Sequence, residues 1–453
     1  LVGSEMCIRD RQYIDLFRQC RTMIDSHSAP VLNALREQAF QDFLQQGFPT
    51  QKVERYKYTD VPAAFAPDYG VNLNRLDIPV NPYEVFKCDV PNLSTSLYFM
   101  VNDAFYSKIQ PAVALPEGMI VCSLREAAQQ YPELVARYYG KQARTGKDAL
   151  NALNTMLAQD GLFVYVPRGV VAERTLQIVN ILRSDVDLMV NRRVLIVLED
   201  NAEARILFCD HAADDRSFLT TQIAEVYVGN NARLQLYELE ETHVKNKRFG
   251  NLYVDQQADS NVSLNTITLH NGLTRNRSEV TLSGERAETN LYGCVIADKQ
   301  QHVDHNTLID HRVSHCTSNQ LYKYVLDNQA VGAFAGRILV RENAQHTVSN
   351  ERNANLCATK EARMYAQPML EIYADDVKCS HGSTVGQLNE QALFYMQQRG
   401  ISREEAQMLL RFAFVGEVID CIAIDALRDR LHHLVEKRFR GELSRCSGCK
   451  ICK

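Results

Sequence analysis

Residues 223–239 read IAEVYVGNNARLQLYEL. Two short runs, Ile223 to Val228 and Leu234 to Leu239, are rich in β-branched, aromatic and long apolar residues. Between them Gly229-Asn230-Asn231-Ala232 supplies residues that tolerate a left-handed backbone and close tight turns. The same pattern of strand, turn and strand fills the chain from Leu162 to Lys378, with further runs at Leu162 to Pro167, Leu176 to Leu182, Val194 to Leu198, Ala204 to Cys209, Val262 to Leu269, Val280 to Leu282 and Asn290 to Ile296. The turns share Asn, Asp or Gly near an alanine, and Ala202, Ala232, Ala258 and Ala287 recur at intervals of 26 to 30 residues. Recurrence with variable turns predicts a β-solenoid. A sandwich or barrel also has short strands and regular turns, but so long a β pattern without a helical crossover favours the solenoid.

On either side the period is helical. From Pro30 to Gln46 the residues Val31, Leu32, Leu35, Ala39, Phe40, Phe43 and Leu44 recur at helical spacing, and Gly47-Phe48-Pro49 supplies a stop. A mixed region follows to about Asp160, with strand candidates at Ser96 to Val101 and Met119 to Ser123 and helical patterns at Leu124 to Tyr139 and Asp148 to Ala158. After Gly386 a helix opens at Asn389 and ends at Gly400, and Ser402-Arg403-Glu404-Glu405 is a capping box for a second helix running to about Phe439. This pair could simply pack on the solenoid end. Its apolar residues, including Phe412, Phe414, Val415 and Val418, ring more than one face, which suggests a further partner. The reading divides the chain into 1–11, a non-native segment; 12–160, an α-rich domain; 161–385, the β-solenoid core; 386–440, a helical domain; and 441–453, a tail.

Composition narrows the function. The chain has 453 residues, 45% hydrophobic and 23% charged, with a formal net charge of −5, so no general attraction to nucleic acid or an anionic membrane is expected. No apolar run approaches the ~20 residues of a membrane-spanning helix, and no basic stretch precedes an apolar core at the amino end. A cytoplasmic protein is expected, with its 13 scattered cysteines as free thiols. LVGSEMCIRDR at residues 1–11 reads as an adapter or assembly scar. Cys446, Cys449 and Cys452 keep a C-x2-C-x2-C rhythm without the fourth cysteine of a cluster motif, which reads as an irregular tail.

Most enzyme motifs are missing or imperfect. Gly140 to Asp148, GKQARTGKD, misses a phosphate loop by one residue of spacing and by Asp148 where Ser or Thr would bind magnesium. There is no G-x-S-x-G elbow and no H-E-x-x-H helix. A stand-alone solenoid enzyme acting on carbohydrate remains an alternative. Soft metal-ligand chemistry occurs in two places. Within LEIYADDVKCSHG, residues 370–382, Cys379 and His381 are two apart on a predicted strand and so project from the same side, with Ser380 on the other. Thiolate and imidazole suit iron, zinc or copper(I), but two ligands do not close a site and the rest must come from elsewhere in the chain or from a partner. The second cluster, His302, His305, His311, His315 and Cys316, holds either ligands or polar side chains hydrogen-bonded in turns, and His302 and His305 face opposite sides of a straight strand.

The words Asp310-His311, His315-Cys316-Thr317-Ser318-Asn319, Leu321-Tyr322-Lys323, Gly332-Ala333-Phe334, Gly336-Arg337-Ile338, Glu371 to Gly382 and Leu393-Phe394-Tyr395 resemble the SufB/SufD family of iron–sulfur cluster assembly proteins. Lys378-Cys379-Ser380-His381-Gly382 followed by Thr384-Val385-Gly386 looks like the D-type branch of that family rather than the B-type. Glu54-Arg55-Tyr56-Lys57-Tyr58-Thr59 is similar to the family's amino-terminal motif, with Tyr56 where Trp is usual. The resemblance extends from about Ala29 to Arg440. It implies a mainly β fold, with a right-handed parallel β-helix core flanked by an α-rich amino-terminal and an α-helical carboxy-terminal domain. It also implies a non-catalytic scaffold that pairs with SufB through the β-helix and docks the SufC ATPase through its carboxy-terminal helices, with Leu393, Phe394, Leu409, Leu410, Phe412 and Phe414 as candidate contacts. His381 matches the family histidine at the SufB interface and Cys379 is its neighbour, so a transient iron or iron–sulfur cluster is expected there, shared with SufB. The resemblance implies that ATP is bound by the partner ATPase and not by this chain.

Overall fold

The computed structural model describes residues 8–85, 93–108 and 113–441. From Gly161 onward successive strands alternate between two sheets, so that two strands make one coil. The first sheet carries Gly161–Val166, Leu188–Leu198, Phe218–Val228, Lys247–Gln256, Leu273–Leu282, His302–His311, Val331–Val340 and Arg363–Ile372 in that order. The second carries Thr175–Leu182, Glu203–Ala212, Arg233–Glu241, Asn261–His270, Glu288–Ala297, Thr317–Leu326, Thr347–Cys357 and Val377–Gly386. All these neighbours pair in parallel, and the protein is a mainly β solenoid with helices at both ends of the chain.

The period of two explains the interior. Ile206, Leu236, Leu264 and Leu291 fall in one register file of the second sheet and face the lumen, opposite the file Val226, Val254, Val280 and Ile309 of the first. Each such side chain contributes about 1.5–3 kcal/mol when fully buried. The strands read as near-continuous apolar runs because their outer faces are covered as well. Helix Ala149–Leu157 packs on the first sheet at Met189, Leu219 and Phe249. Helices Arg403–Ile419 and Asp425–Phe439 pack on the second through Val415, Val418, Leu427 and Leu431, against Tyr237, Ile267, Cys294 and Val325. The carboxy-terminal helices therefore lie along a sheet face rather than on the solenoid end, and most of their excess apolar surface is covered there.

The corners repeat as well. Asn201, Asn231, Asp259, Arg286, His315 and His346 all have φ between 53° and 62° and stand at equivalent corners of six successive coils. Their backbones are chained between coils, as in Asn201 N–H to Asn230 O at 2.8 Å and Asp259 N–H to Glu285 O at 2.9 Å. A small buried residue follows each of the first five: Ala202, Ala232, Ser260, Ala287 and Cys316. The equivalent of Ala232 one coil on is thus Ser260, and the recurring Ala258 of the sequence reading sits two residues off that file.

Other boundaries shift for local reasons. The helix expected over Pro30 to Gln46 is two, Pro30–Asn33 and Arg36–Gln46. The break aims the buried Arg36 guanidinium at the carbonyls of Thr155, Met156 and Ala158, at 3.0, 2.8 and 2.7 Å, which closes the carboxyl end of helix Ala149–Leu157. The second carboxy-terminal helix also divides, because Ile422 and Ile424 in the link turn into the apolar cluster on the sheet. The strand Thr95–Val101 pairs in parallel with Thr175–Leu182 and so extends the second sheet from within the amino-terminal region. Helix Ile8–Ser26 begins inside the segment 1–11, with Asp10 buried and its Oδ1 accepting from Phe48 N–H at 3.3 Å. Cys446, Cys449 and Cys452 lie outside the described residues.

Candidate functional site

Among the described residues the solenoid's two sheets end at the last coil without a further strand. Arg363–Ile372 and Val377–Gly386, ten residues each, are the terminal strands of their sheets, and their residues are largely exposed or half-buried where preceding strands are buried. Among the described residues nothing pairs with their outer edges. Ile372, Tyr373 and Val385 are exposed there.

Cys379 and His381 do share one face of Val377–Gly386, as the period of two requires, and that face continues the lumen of the solenoid. Cys379 is half-buried and packs with Leu370 and Val377 against Ile338, Val340, Ala344 and Ala374. Burial pushes its thiol up. His381 is exposed.

The chemistry of the lumen changes on the way to this pair. In the file that contains His381, Leu264 and Leu291 give way to Gln320 and then Glu351, so that Glu351 lies directly beneath His381 in the ladder. In the file of Cys379 the order is Val262, Thr289, Ser318, Ser349, Cys379. These side chains are hydrogen-bonded along the solenoid: His311 Nε2 to Ser318 Oγ at 2.9 Å, Ser318 Oγ to Ser349 Oγ at 2.7 Å, Thr307 Oγ1 to Gln320 Oε1 at 2.8 Å, and Gln320 Nε2 to Glu351 Oε2 at 3.1 Å. Burial pushes the Glu351 carboxyl up to about 8. The sequence reading missed this residue. Its signal is its place one coil, 30 residues, before His381, which becomes visible only once the coil length is known.

The second histidine cluster forms no joint site. His302 meets Thr59 Oγ1 at 3.2 Å, His305 meets Tyr324 Oη at 2.9 Å and Asn276 Nδ2 at 3.3 Å, and His311 meets Ser318. Burial holds His305 and His311 neutral, down to about 3 and about 4. His315 stacks on His346 with ring centroids 4.6 Å apart at the corner, and Cys316 donates to Gly284 O at 3.4 Å. Among the described residues no three His, Cys, Asp or Glu side chains are grouped so as to hold a metal ion. The phosphate-loop look-alike is also accounted for. Gly140, Gln142 and Ala143 turn their N–H groups onto the carboxylate of Glu225 at 2.8 to 3.1 Å, which occupies the cradle with a carboxylate of the chain itself.

Of the six candidate docking residues, Leu393 is buried at 1% exposure, and Phe412 and Phe414 are half-buried and pack against the sheet-side cluster. Leu410 is half-buried, whereas Phe394 at 64% and Leu409 at 37% remain exposed, together with Tyr395. The helices are anchored by charge. Lys323 donates to Phe414 O at 2.8 Å and pairs with Glu417, Arg352 also pairs with Glu417, and Arg411 meets Asp327 at 3.1 Å. No helix among the described residues is long and apolar enough to cross a membrane.

Comparison with known proteins adds two family matches and several relatives. Residues 8–178 match the SufBD protein N-terminal region, and residues 181–414 match the SufBD core domain of SUF system FeS cluster assembly. The chain is 28% identical over 406 residues to an iron–sulfur cluster assembly SufBD family protein of Synechocystis sp., covering 86% of this chain and 87% of the relative. It is 26% identical over 410 residues to the iron–sulfur cluster assembly protein SufD of Escherichia coli, covering 89% and 92%. With SufD of Bacillus subtilis the identity is 24% over 453 residues, covering 97% and 100%.

Proposed function

Because the chain belongs to the SufBD family of SUF iron–sulfur cluster assembly, we propose that it is a non-catalytic, SufD-like scaffold subunit of the cytoplasm. In this reading it pairs with a SufB paralogue through the open end of its solenoid and docks a SufC ATPase through its carboxy-terminal helices. The observation that carries the pairing is the uncovered last coil. Among the described residues two terminal strands of ten residues leave the backbone N–H and C=O groups of their outer edges unpaired, a template that folded proteins normally cover or blunt. A second solenoid added edge to edge would satisfy them and bury Ile372, Tyr373 and Val385. It would also close over Cys379 and His381, which offer iron, here the substrate, a nitrogen and a sulfur donor while leaving coordination positions to the partner. Partial coordination suits a scaffold that must release what it assembles.

Phe394 and Leu409 are the apolar residues of the helical domain best placed to meet an ATPase. Movement of helix Arg403–Ile419 has a mechanical route to the site, since Glu417 on that helix pairs with Arg352, next to Glu351 on the strand beneath His381. Nucleotide binding by the partner would thereby bias the last coil.

The test is size-exclusion chromatography with mass detection after co-expression with SufB and SufC. Truncation near Gly386 is unsuitable, because it strips the apolar outer face of the second sheet. Phe394→Glu with Leu409→Glu is the better perturbation. The expected result is retention of SufB with reduced SufC occupancy. A folded wild-type chain that captures neither partner refutes the reading.

A further inference from the structure

Glu351 is an unusual residue to find in a solenoid core. It is 1% exposed, only one of its oxygens accepts a hydrogen bond, from Gln320, and Oε1 has no partner. Among the described residues no Lys, Arg or His forms an ion pair with it, and its carboxyl is raised by burial alone. A buried carboxyl with an unmade bond and no counter-charge destabilises the fold, and a leucine, as at the same register two coils earlier, would avoid this. The position is nevertheless built for it. On the opposite strand stands Gly336, where a Cβ would come within 2.4 Å of Oε1 and 2.6 Å of Oε2, so the carboxyl lies against bare backbone across the lumen. The next residues up the two ladders are Pro368 over Gly336 and His381 over Glu351. Adjacent parallel strands stand about 4.8 Å apart, which brings a glutamate carboxyl and an imidazole on the same face within reach of one ion.

We infer that Glu351 and His381 form a two-donor half-site, carboxylate oxygen and imidazole nitrogen, for a divalent first-row cation of the ferrous class, with further donors supplied by whatever closes the open end. This rests on the reading that the open end handles iron as substrate. The cation supplies the counter-charge that Glu351 lacks, and its acid proton leaves to solvent as the metal–oxygen bond forms. A carboxylate makes the site harder than thiolate and imidazole alone, favouring iron(II) over copper(I). Glu351 is the fixed member, held by Gln320 and Gly336, and the exposed His381 is the member free to swing onto the ion and off again.

Cobalt(II), standing for iron, is titrated into the full chain alone and in complex with SufB, and the visible ligand-field bands are followed. Wild type is compared with Glu351→Gln, which keeps the shape, with His381→Ala, which alters only an exposed residue, and with both together. Ser349→Ala, the preceding lumen-facing residue, is the control. Glu351→Gln and His381→Ala are each expected to weaken binding about tenfold or more, the double variant little more than either, and Ser349→Ala not at all. Equal affinity of Glu351→Gln and wild type, or no uptake by wild type in either state, overturns the inference. Capture of SufB and SufC by the same preparations reads the scaffold function separately. A chain that captures both partners but binds cobalt without regard to Glu351 loses the half-site alone, and a chain that captures neither loses the scaffold reading itself.

Discussion

Glu225→Gln removes one charge from a fully buried site and leaves the volume unchanged. In the native fold the Glu225 carboxylate accepts from Gly140, Gln142 and Ala143 N–H and from Arg193 Nη2 at 2.8 Å, with both side chains of the pair essentially inaccessible. An amide presents a donor at one of the two oxygen positions, so it opposes either Gly140 and Arg193 or Gln142 and Ala143. Arg193 keeps only Thr155 Oγ1 at 3.2 Å, Asn154 Oδ1 at 3.4 Å and the ring of Tyr139 at 4.7 Å, none of which carries compensating charge. Leaving one member of a buried pair uncompensated costs about 3–5 kcal/mol. Each ~1.4 kcal/mol is a factor of ten, so opening of the loop from the sheet becomes about a thousandfold easier for a loss of ~4 kcal/mol. Hydrogen exchange read by mass spectrometry is the assay, and the peptide spanning Gly140 to Ala143 should lose protection by that order while peptides of the distant last coils are unchanged. The double change Arg193→Met with Glu225→Leu should be milder than Glu225→Gln alone, since apolar replacement of a buried pair is often near neutral. Wild-type protection in Glu225→Gln, or a double variant worse than the single, refutes the reasoning.

Two further outcomes follow from the lumen. Burial pushes the Glu240 carboxyl up to about 7 in the fold, above the ~4.3 of an unfolded glutamate. Its contribution is therefore complete below ~4.3 and is lost as pH rises through about 7. Thermal unfolding of wild type and Glu240→Gln from pH 5 to 8 should show the variant gaining on wild type as pH rises, and a constant gap across that range counts against a buried neutral acid. A Cβ at Gly293 would meet the Tyr322 ring at 2.1 Å, so Gly293→Ala should destabilise by about 1–3 kcal/mol through overpacking, lowering the midpoint of thermal unfolding, whereas an unchanged midpoint would mean that the ring moves freely.

The legible parts of the fold are those encoded by neighbouring residues. The alternation in Ile223 to Val228 and Leu234 to Leu239 marks strands wherever they end up, and both helix starts carry their own caps. Asn389 Oδ1 accepts from Gln391 and Ala392 N–H, and Ser402 Oγ from Glu405 N–H at 3.2 Å. Cys379 and His381 are two apart, so their common face follows from strand geometry alone. Composition left His302 to Cys316 open between ligands and hydrogen-bonded polar side chains, and the fold decides for the second: these residues divide between a strand's two faces and a corner, and each finds a different partner.

The sequence by itself determined the kinds of element, their order, the turn chemistry of the corners and the pairing of Cys379 with His381, since each depends on residues within one turn or strand. Only the tertiary structure decided which residues stack between coils. That register is fixed by the summed lengths of strands and corners, and a corner shorter or longer by one residue moves every later side chain to the other face. So Ser260 rather than Ala258 continues the corner file, Thr95–Val101 joins a sheet from outside the run read as solenoid, and the carboxy-terminal helices lie along a face rather than over the last coil. Glu351 comes to rest beneath His381 for the same reason: strand and corner lengths together bring two residues 30 apart into register.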